Sequence, residues 1–514
     1  MRRLPLLAAL LASLAGAQAK KAQILLDTHR TISEISHYIF GGFAEHMGRC
    51  IYEGIYDPQS PLSDENGIRR DVMDALKELN FRSIRYPGGN FVSGYNWEDG
   101  IGPRENRPVK RDLAWRSIET NQFGTDEFMK VCAELKTEPM MAVNLGTGSI
   151  QDAANIVEYC NLEGGTHYSD LRIKNGAEKP YGVKFWCLGN EMDGPWQVGQ
   201  LSAEDYSKKA VQAAKAMKLI DPSIQLIACG SSSSLMNSYP EWDRIVLEET
   251  WDQIDYLSMH YYASNREEDT ASYLAYTREF EDHLQTLAAT IRYVKAKKRS
   301  QKDVFLSWDE WNVWYREMNG NGEWQQAPHI LEEVYNLEDA LVVAQWMNVL
   351  LKHSNVLKMA SIAQVVNVIA PIMTRRDGMF KQTIYYPFLV FSKHASGQAL
   401  SLHVASDQYE TKKHGLVNLL DASASFDASQ NEGAVFLVNR SQDEELETEI
   451  VFQGRVPTSV RVAHQLAGSD PKAHNSFEEP EKLTLQTIEA GEIKDGKLVL
   501  KLPALSFSAV VLDY

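Results

Sequence analysis

Cysteine is scarce in this chain: 514 residues carry five, Cys50, Cys132, Cys160, Cys187 and Cys229. Their number is odd and they lie far apart, with neither the paired spacing of a zinc site nor the density of a disulfide scaffold. Mostly buried thiols are expected, with at most one disulfide and no metal. Basic charge is scarce too. The 52 Lys and Arg stand against 69 Asp and Glu, a formal charge of -17, which argues against a nucleic-acid partner and disfavours anionic membrane surfaces. No stretch beyond the N-terminus reaches the ~18 apolar residues of a membrane helix. No glycine-rich phosphate loop follows the first strand-like segment, so a nucleotide cofactor has no visible cradle. No cofactor of any kind is predicted. A hydrophobic share of 44% and a charged share of 24% are those of an ordinary globular protein.

What is present begins at residues 1–19. Arg2 and Arg3 precede an apolar run from Leu4 to Leu14, and small residues Ala15 to Ala19 follow. This pattern is that of a secretory signal peptide, and it predicts a secreted or periplasmic protein. The remainder is too long for one small domain and suits a large α/β barrel with one companion module.

Short apolar runs bounded by turn residues fall at 38–46, 81–89, 139–146, 183–191, 225–231, 254–262, 304–312 and 358–367. Helix-length stretches separate them, so parallel βα units are expected. One such stretch has Val72, Met73, Leu76 and Leu79 at helical spacing; another follows Ser202, a good N-cap. Eight units predict a (β/α)₈ barrel over 36–396. From 397 to 514 the pattern changes to short, partly alternating β runs without helical periodicity, which predicts a C-terminal β-sandwich. Residues 20–35 contain a β segment with no place in the barrel, and it is assigned to the sandwich sheet.

Barrels place their chemistry at the C-terminal strand ends, where the loops converge on one rim. The polar residues at those ends are Glu45 and His46, Asn90, Asn144, Asn190 and Glu191, Ser231, His260 and Tyr262, Glu310 and Asn312, and Gln364 and Asn367. Strands four and seven end in carboxylates that would face each other across the mouth. Two carboxyls flanking a sugar are the minimum apparatus of glycoside hydrolysis, one protonating the leaving oxygen and the other attacking or stabilising the anomeric centre. Aromatic neighbours Trp186 and Trp196 favour Glu191 as the protonated member. Arg85, His260 and Tyr262 are at hand to hold Glu310 ionised, although Arg85 serves equally well as a structural ion-pair partner inside the barrel. Trp97, Trp311, Trp314 and Tyr315 are candidates for stacking on sugar faces.

Six segments carry a resemblance: 41–49 (GGFAEHMGR), 85–91 (RYPGGNF), 186–196 (WCLGNEMDGPW), 259–262 (MHYY), 309–315 (DEWNVWY) and 363–371 (AQVVNVIAP). In this order, each at an expected strand end, they resemble glycoside hydrolase family 51, the α-L-arabinofuranosidases. The resemblance implies Glu191 as acid/base and Glu310 as nucleophile. It implies Glu45, Asn90, Asn190 and Gln364 as hydroxyl-binding groups, and Arg85, His260 and Tyr262 as groups that orient and polarise the nucleophile. It further implies a C-terminal β-sandwich, arabinose-containing oligo- or polysaccharide as substrate, retention with carboxyls roughly 5–5.5 Å apart, and a homo-oligomer, often a hexamer. Two features depart from many members: the leader, and an inserted loop at 319–326 where substrate would enter. A β-xylosidase or endoglucanase on the same barrel, and a non-catalytic carbohydrate-binding protein, are the alternatives.

Overall fold

The computed structural model describes residues 20–316 and 324–514; the expected leader and residues 319–323 of the inserted loop lie outside the described residues. Eight parallel strands close into a barrel: β1 (Gly41–Phe43), β2 (Ser83–Tyr86), β3 (Glu138–Val143), β4 (Phe185–Leu188), β5 (Gln225–Ala228), β6 (Tyr256–Ala263), β7 (Phe305–Val313) and β8 (Leu357–Ala363). Each overlaps one of the eight strand-like segments of the sequence. The ring closes where Ser361 of β8 pairs with Gly41 of β1. A Cβ at Gly41 would lie 2.5 Å from the Ala360 carbonyl oxygen, so the seam demands glycine.

The strands are apolar on both faces because the inner face fills the barrel and the outer face meets helices. All four residues of β4 are buried. The helix Ala203–Ile220 starts where Ser202 accepts a hydrogen bond from the Asp205 backbone N–H, and it buries Ala210, Ala213, Ala214 and Met217. The helix Arg70–Leu79 buries Val72, Met73, Leu76 and Leu79, the spacing read from the sequence.

β7 departs from regular pairing. Between the pairs Ser258↔Ser307 and His260↔Glu310, β6 advances two residues while β7 advances three. Against β8 the same happens, with Trp308↔Ala360 followed by Trp311↔Ile362. One extra residue is therefore bulged into β7. Trp308 and Trp311 consequently both face outward, against Trp346 of the helix Leu337–Lys352. The two residues between them both face inward.

The C-terminal portion is two stacked sheets. A four-stranded sheet runs in the order His403–Ser406, Lys20–Asp27, Leu446–Gln453, Lys497–Leu502. The segment Lys20–Asp27 lies parallel to Leu446–Gln453, with Ile24 opposite Ile450. A seven-stranded sheet centred on Leu420–Asp427, Glu432–Asn439 and Ser506–Asp513 covers it, and Ile24, Leu26, Val435, Leu437, Ile450 and Leu498 fill the space between. The other face of the larger sheet rests on barrel helices, where Phe391 stacks on Phe436 at 3.9 Å. All five cysteines are buried and unpaired. Among the described residues no helix is long and apolar enough to cross a membrane.

Candidate active site

At the C-terminal mouth of the barrel, Glu191 follows β4 and Glu310 stands on β7. His260 of β6 joins them: its Nδ1 lies 2.9 Å from Glu191 Oε1 and 3.5 Å from Glu310 Oε2. One atom each of Glu191, His260 and Glu310 fall within 4.8 Å of one another. Arg85 of β2 donates from one terminal nitrogen to Glu310 Oε2 at 2.9 Å and from the other to Asn190 Oδ1 at 2.7 Å. The Tyr262 hydroxyl donates to Glu310 Oε1 at 2.8 Å. Glu191 Oε2 accepts the indole N–H of Trp196 at 2.7 Å. The backbone of Glu191 is in the left-handed region, φ 42°, a conformation that non-glycine residues adopt mainly where the surroundings impose it.

The charges follow from burial against pairing. Burial lowers the His260 pKa, but the charges of Glu310 and Asp309 and hydrogen bonds to Asp309 and Glu191 override it and push it up to about 10. The Glu310 carboxyl is raised by burial, an effect that His260 and Arg85 oppose and the Glu191 charge reinforces. For Arg85, burial would favour the neutral form, yet Asp309 and Glu310 hold it cationic. The spacing of Glu191, His260 and Glu310 would also suit a metal ion. The hydrogen bonds that Arg85 and Tyr262 donate to Glu310 and the short contact of His260 to Glu191 suit acid–base chemistry.

A second cluster adjoins the first. Glu45 accepts from the Phe91 backbone N–H at 3.0 Å, the Trp115 indole at 2.9 Å and the Gln364 amide at 3.0 Å. Burial first, and the Glu310 charge second, push its carboxyl up to about 8. Gln364 Oε1 is buried without a partner. Asn190 donates to Asn90 Oδ1 at 3.2 Å. Gly89 sits among these groups: a Cβ there would lie 3.3 Å from Glu310 Oε2 and 3.4 Å from both Asn190 Nδ2 and Glu45 Oε2. Trp314 packs edge-on against Tyr262 at 4.9 Å, beside the carboxylates.

Other strand-end candidates are elsewhere. His46 is buried between Glu119 and Tyr86, Ser231 binds Asp243, and Asn144 holds the Tyr95 carbonyl. Asn312 donates to the carbonyls of Ala363 and Ile369, and Asn367 to that of Arg49. Trp311 is turned into the core by the bulge, and Tyr315 donates to Asp339. Trp97 is packed on Tyr159 and Tyr168 and lines a cavity of about 370 Å³ that includes neither carboxylate. Trp186 and Leu188 lie in the barrel wall, so of the expected aromatic surround only Trp196 meets Glu191. The sequence reading missed Trp115, which arrives on the hairpin formed by Lys110–Asp112 and Ser117–Glu119. It also missed Asp309, whose acidic character was visible but whose direction depends on the bulge.

Family models match this chain twice: an "alpha-L-arabinofuranosidase 1 domain" over residues 75–287 and an "alpha-L-arabinofuranosidase C-terminal domain" over 309–506. The chain belongs to the α-L-arabinofuranosidases of glycoside hydrolase family 51. An intracellular exo-α-(1→5)-L-arabinofuranosidase of Acetivibrio thermocellus is 49% identical over 83% of this chain and 86% of that one. One of Bacillus subtilis is 46% identical, over 89% and 92%. The structure of a family 51 α-L-arabinofuranosidase from Bifidobacterium longum superposes with a TM-score of 0.93 at 39% identity, covering 96% of this chain and all of that one. A bifunctional glucanase-xylanase at 12% identity and TM-score 0.62 shares the fold alone.

The comparison also corrects an expectation. Secretion, read from residues 1–19, is contradicted by family 51 relatives that are named intracellular, among them those of A. thermocellus and B. subtilis. A basic pair before an apolar run is a compositional signal, and composition alone does not fix a compartment.

Proposed function

We propose that this chain is a retaining exo-α-L-arabinofuranosidase that releases terminal α-L-arabinofuranosyl groups from arabinose-containing hemicellulose or pectin and their oligosaccharides. The observation that carries the reading is the Glu191–Glu310 pair, held within 4.8 Å through His260. This close approach supports the shorter carboxyl spacing of retaining enzymes, roughly 5–5.5 Å, over the roughly 6.5–9.5 Å of inverting ones, and it suits double displacement. Glu310, with a guanidinium and a phenol on its oxygens, is the nucleophile that attacks the anomeric carbon. Glu191 protonates the departing oxygen, then takes a proton from the water that releases arabinose. Arg85, His260 and Tyr262 orient Glu310. Glu45, Asn90, Asn190 and Gln364 bind sugar hydroxyls, a role supported by the unpartnered Gln364 Oε1. Trp314 flanks the sugar, with Trp97 as a more remote contact. The exo mode is supported by the names of the relatives. A homo-oligomer, hexameric by resemblance, completes the reading, and sedimentation velocity tests it.

The decisive experiment uses an aryl α-L-arabinofuranoside. Glu310→Ala should lose turnover, and Glu191→Ala should lose about 10²–10⁴-fold on a poor leaving group. Azide should restore Glu191→Ala only with an activated leaving group. Near wild-type turnover by either variant overturns the assignment, and faster hydrolysis of an aryl β-xyloside overturns the sugar.

A further inference from the structure

The bulge in β7 puts a third acid beneath the pair. In a regular strand, alternation would send Asp309 and Glu310 to opposite faces. The extra residue instead directs both inward, while Trp308 and Trp311 take the outer face. Asp309 is 1% exposed. Its oxygens lie 3.6 Å from Arg85 Nε and 3.5 Å from His260 Nε2. The Ser258 hydroxyl donates to it at 2.5 Å, and the Cys187 thiol approaches at 3.8 Å. Asp309 therefore stands behind the two cations that hold Glu310 in front.

We propose that Asp309 is a positioning residue that fixes the proton on His260 and the orientation of Arg85, so that both present cationic donors to the carboxylate pair. Burial favours the neutral imidazole; Glu310 and Glu191 oppose it from the Nδ1 side, and Asp309 opposes it from the Nε2 side. A neutral His260 offers one N–H, which cannot serve Glu191 and Glu310 on one side and Asp309 on the other. The groups facing His260 are Glu191 and Glu310 at Nδ1, Asp309 at Nε2, and His283 from the neighbouring helix Thr277–Lys298, whose own pKa is lowered by burial and by the His260 charge. Asp309 is the member of this set that leaves the reacting pair free for substrate. The proposal rests on the assignment of Glu310 as nucleophile.

The sign of its effect is fixed. The His260 pKa is raised by its acidic partners, so its charge is kept well above the ordinary value of 6.5 and is lost as pH rises through about 10. Removing the Asp309 charge lowers that upper value, so the pH at which His260 loses its proton should move toward neutral by about 1–3 pH units. The test measures kcat on an aryl α-L-arabinofuranoside and the His260 titration by nitrogen-15 NMR for wild type and Asp309→Asn, with folding checked by circular dichroism. Asp309→Asn should lose about 100-fold in kcat through misplaced donors and show the shifted titration. A role in packing alone would lower the melting temperature and leave the His260 titration in place, and that result overturns the proposal. In parallel, nitrogen-15 NMR of wild-type protein labelled at histidine, with His260 assigned by its loss in His260→Gln, reads the proton without reference to turnover. Both ring nitrogens of His260 should stay protonated to pH 9; titration near the ordinary value overturns the proposal even if Asp309→Asn does not fold. Glu310→Ala that remains active sinks the nucleophile assignment, which is a different outcome from either of these.

Discussion

At the scale of single residues, the site concentrates buried titratable groups that the fold alone would not choose. Glu45 is the clearest case, a carboxyl 2% exposed and raised to about 8 from an ordinary 4.5. A group whose folded pKa is raised binds its proton more tightly when folded, so stability falls as pH rises from 4.5 to 8 and changes no further above. Glu45→Gln removes that slope while keeping the shape. Its melting temperature relative to wild type should therefore be higher at pH 8 than at pH 5, with activity reduced at both. Thermal unfolding at the two pH values checks it, and a gap that does not change would show that Glu45 is not the titrating group. The presence of Glu45, Glu191 and Glu310 at strand ends was legible from the sequence. The raised carboxyls of Glu45 and Glu310 were not, because they depend on burial and on distances across the barrel mouth.

Elements, not residues, decide which polar groups reach that mouth. Strand-end position selected His46, Asn312 and Asn367 as readily as Asn190 and Gln364. The loops after β1 and β8 turn His46 and Asn367, and the end of β7 itself turns Asn312, onto backbone and buried partners. The loop after β2 shows the converse, since Gly89 contributes only space. Gly89→Ala should place a methyl against Glu310, Asn190 and Glu45 and lower kcat/KM on the order of tenfold to a hundredfold. Gly89 adopts φ -81° and ψ -105°, outside the ordinary helical and extended regions, so alanine should also lower the melting temperature, and kcat/KM is compared at a temperature where both proteins are folded. Retained kcat/KM would mean that the sugar does not pass this point.

For the whole molecule, the sandwich is fastened to the barrel by a buried ionic knot. Asp421 of the larger sheet accepts from Lys352 at 2.6 Å and Asn348 at 2.8 Å on the barrel helix, with Arg440 at 3.5 Å. Asp421→Ala leaves the buried Arg440 guanidinium without its nearest anion, and a broken buried pair costs about 3–5 kcal/mol, the lower end applying here because Lys352 stays partly hydrated. Burial raises the Asp421 pKa, but Lys352 and Arg440 reverse the balance and hold it below its ordinary 3.8. Its contribution is present above that value and fades as the solution is acidified through the folded value. Denaturant unfolding at pH 7 should show the loss, while turnover of the folded variant at 25 °C stays near wild type because the knot is remote from the carboxylates. Unchanged stability would mean that apolar packing such as Phe391 on Phe436 carries the joint alone.

The sequence by itself determined the alternation of strand and helix, the change to β runs near residue 400, and the two carboxylates at the ends of strands four and seven. Each is written in local periodicity and in residue type, which do not depend on distant contacts. Only the tertiary structure decided that Lys20–Asp27 lies parallel to Leu446–Gln453, a pairing across more than 400 residues, and that Trp115 arrives over Glu45 from a separate hairpin. It alone decided that one extra residue in β7 turns Asp309 inward with Glu310. A bulge is set by the register of both neighbouring strands, and register is a property of the closed barrel that no single segment carries.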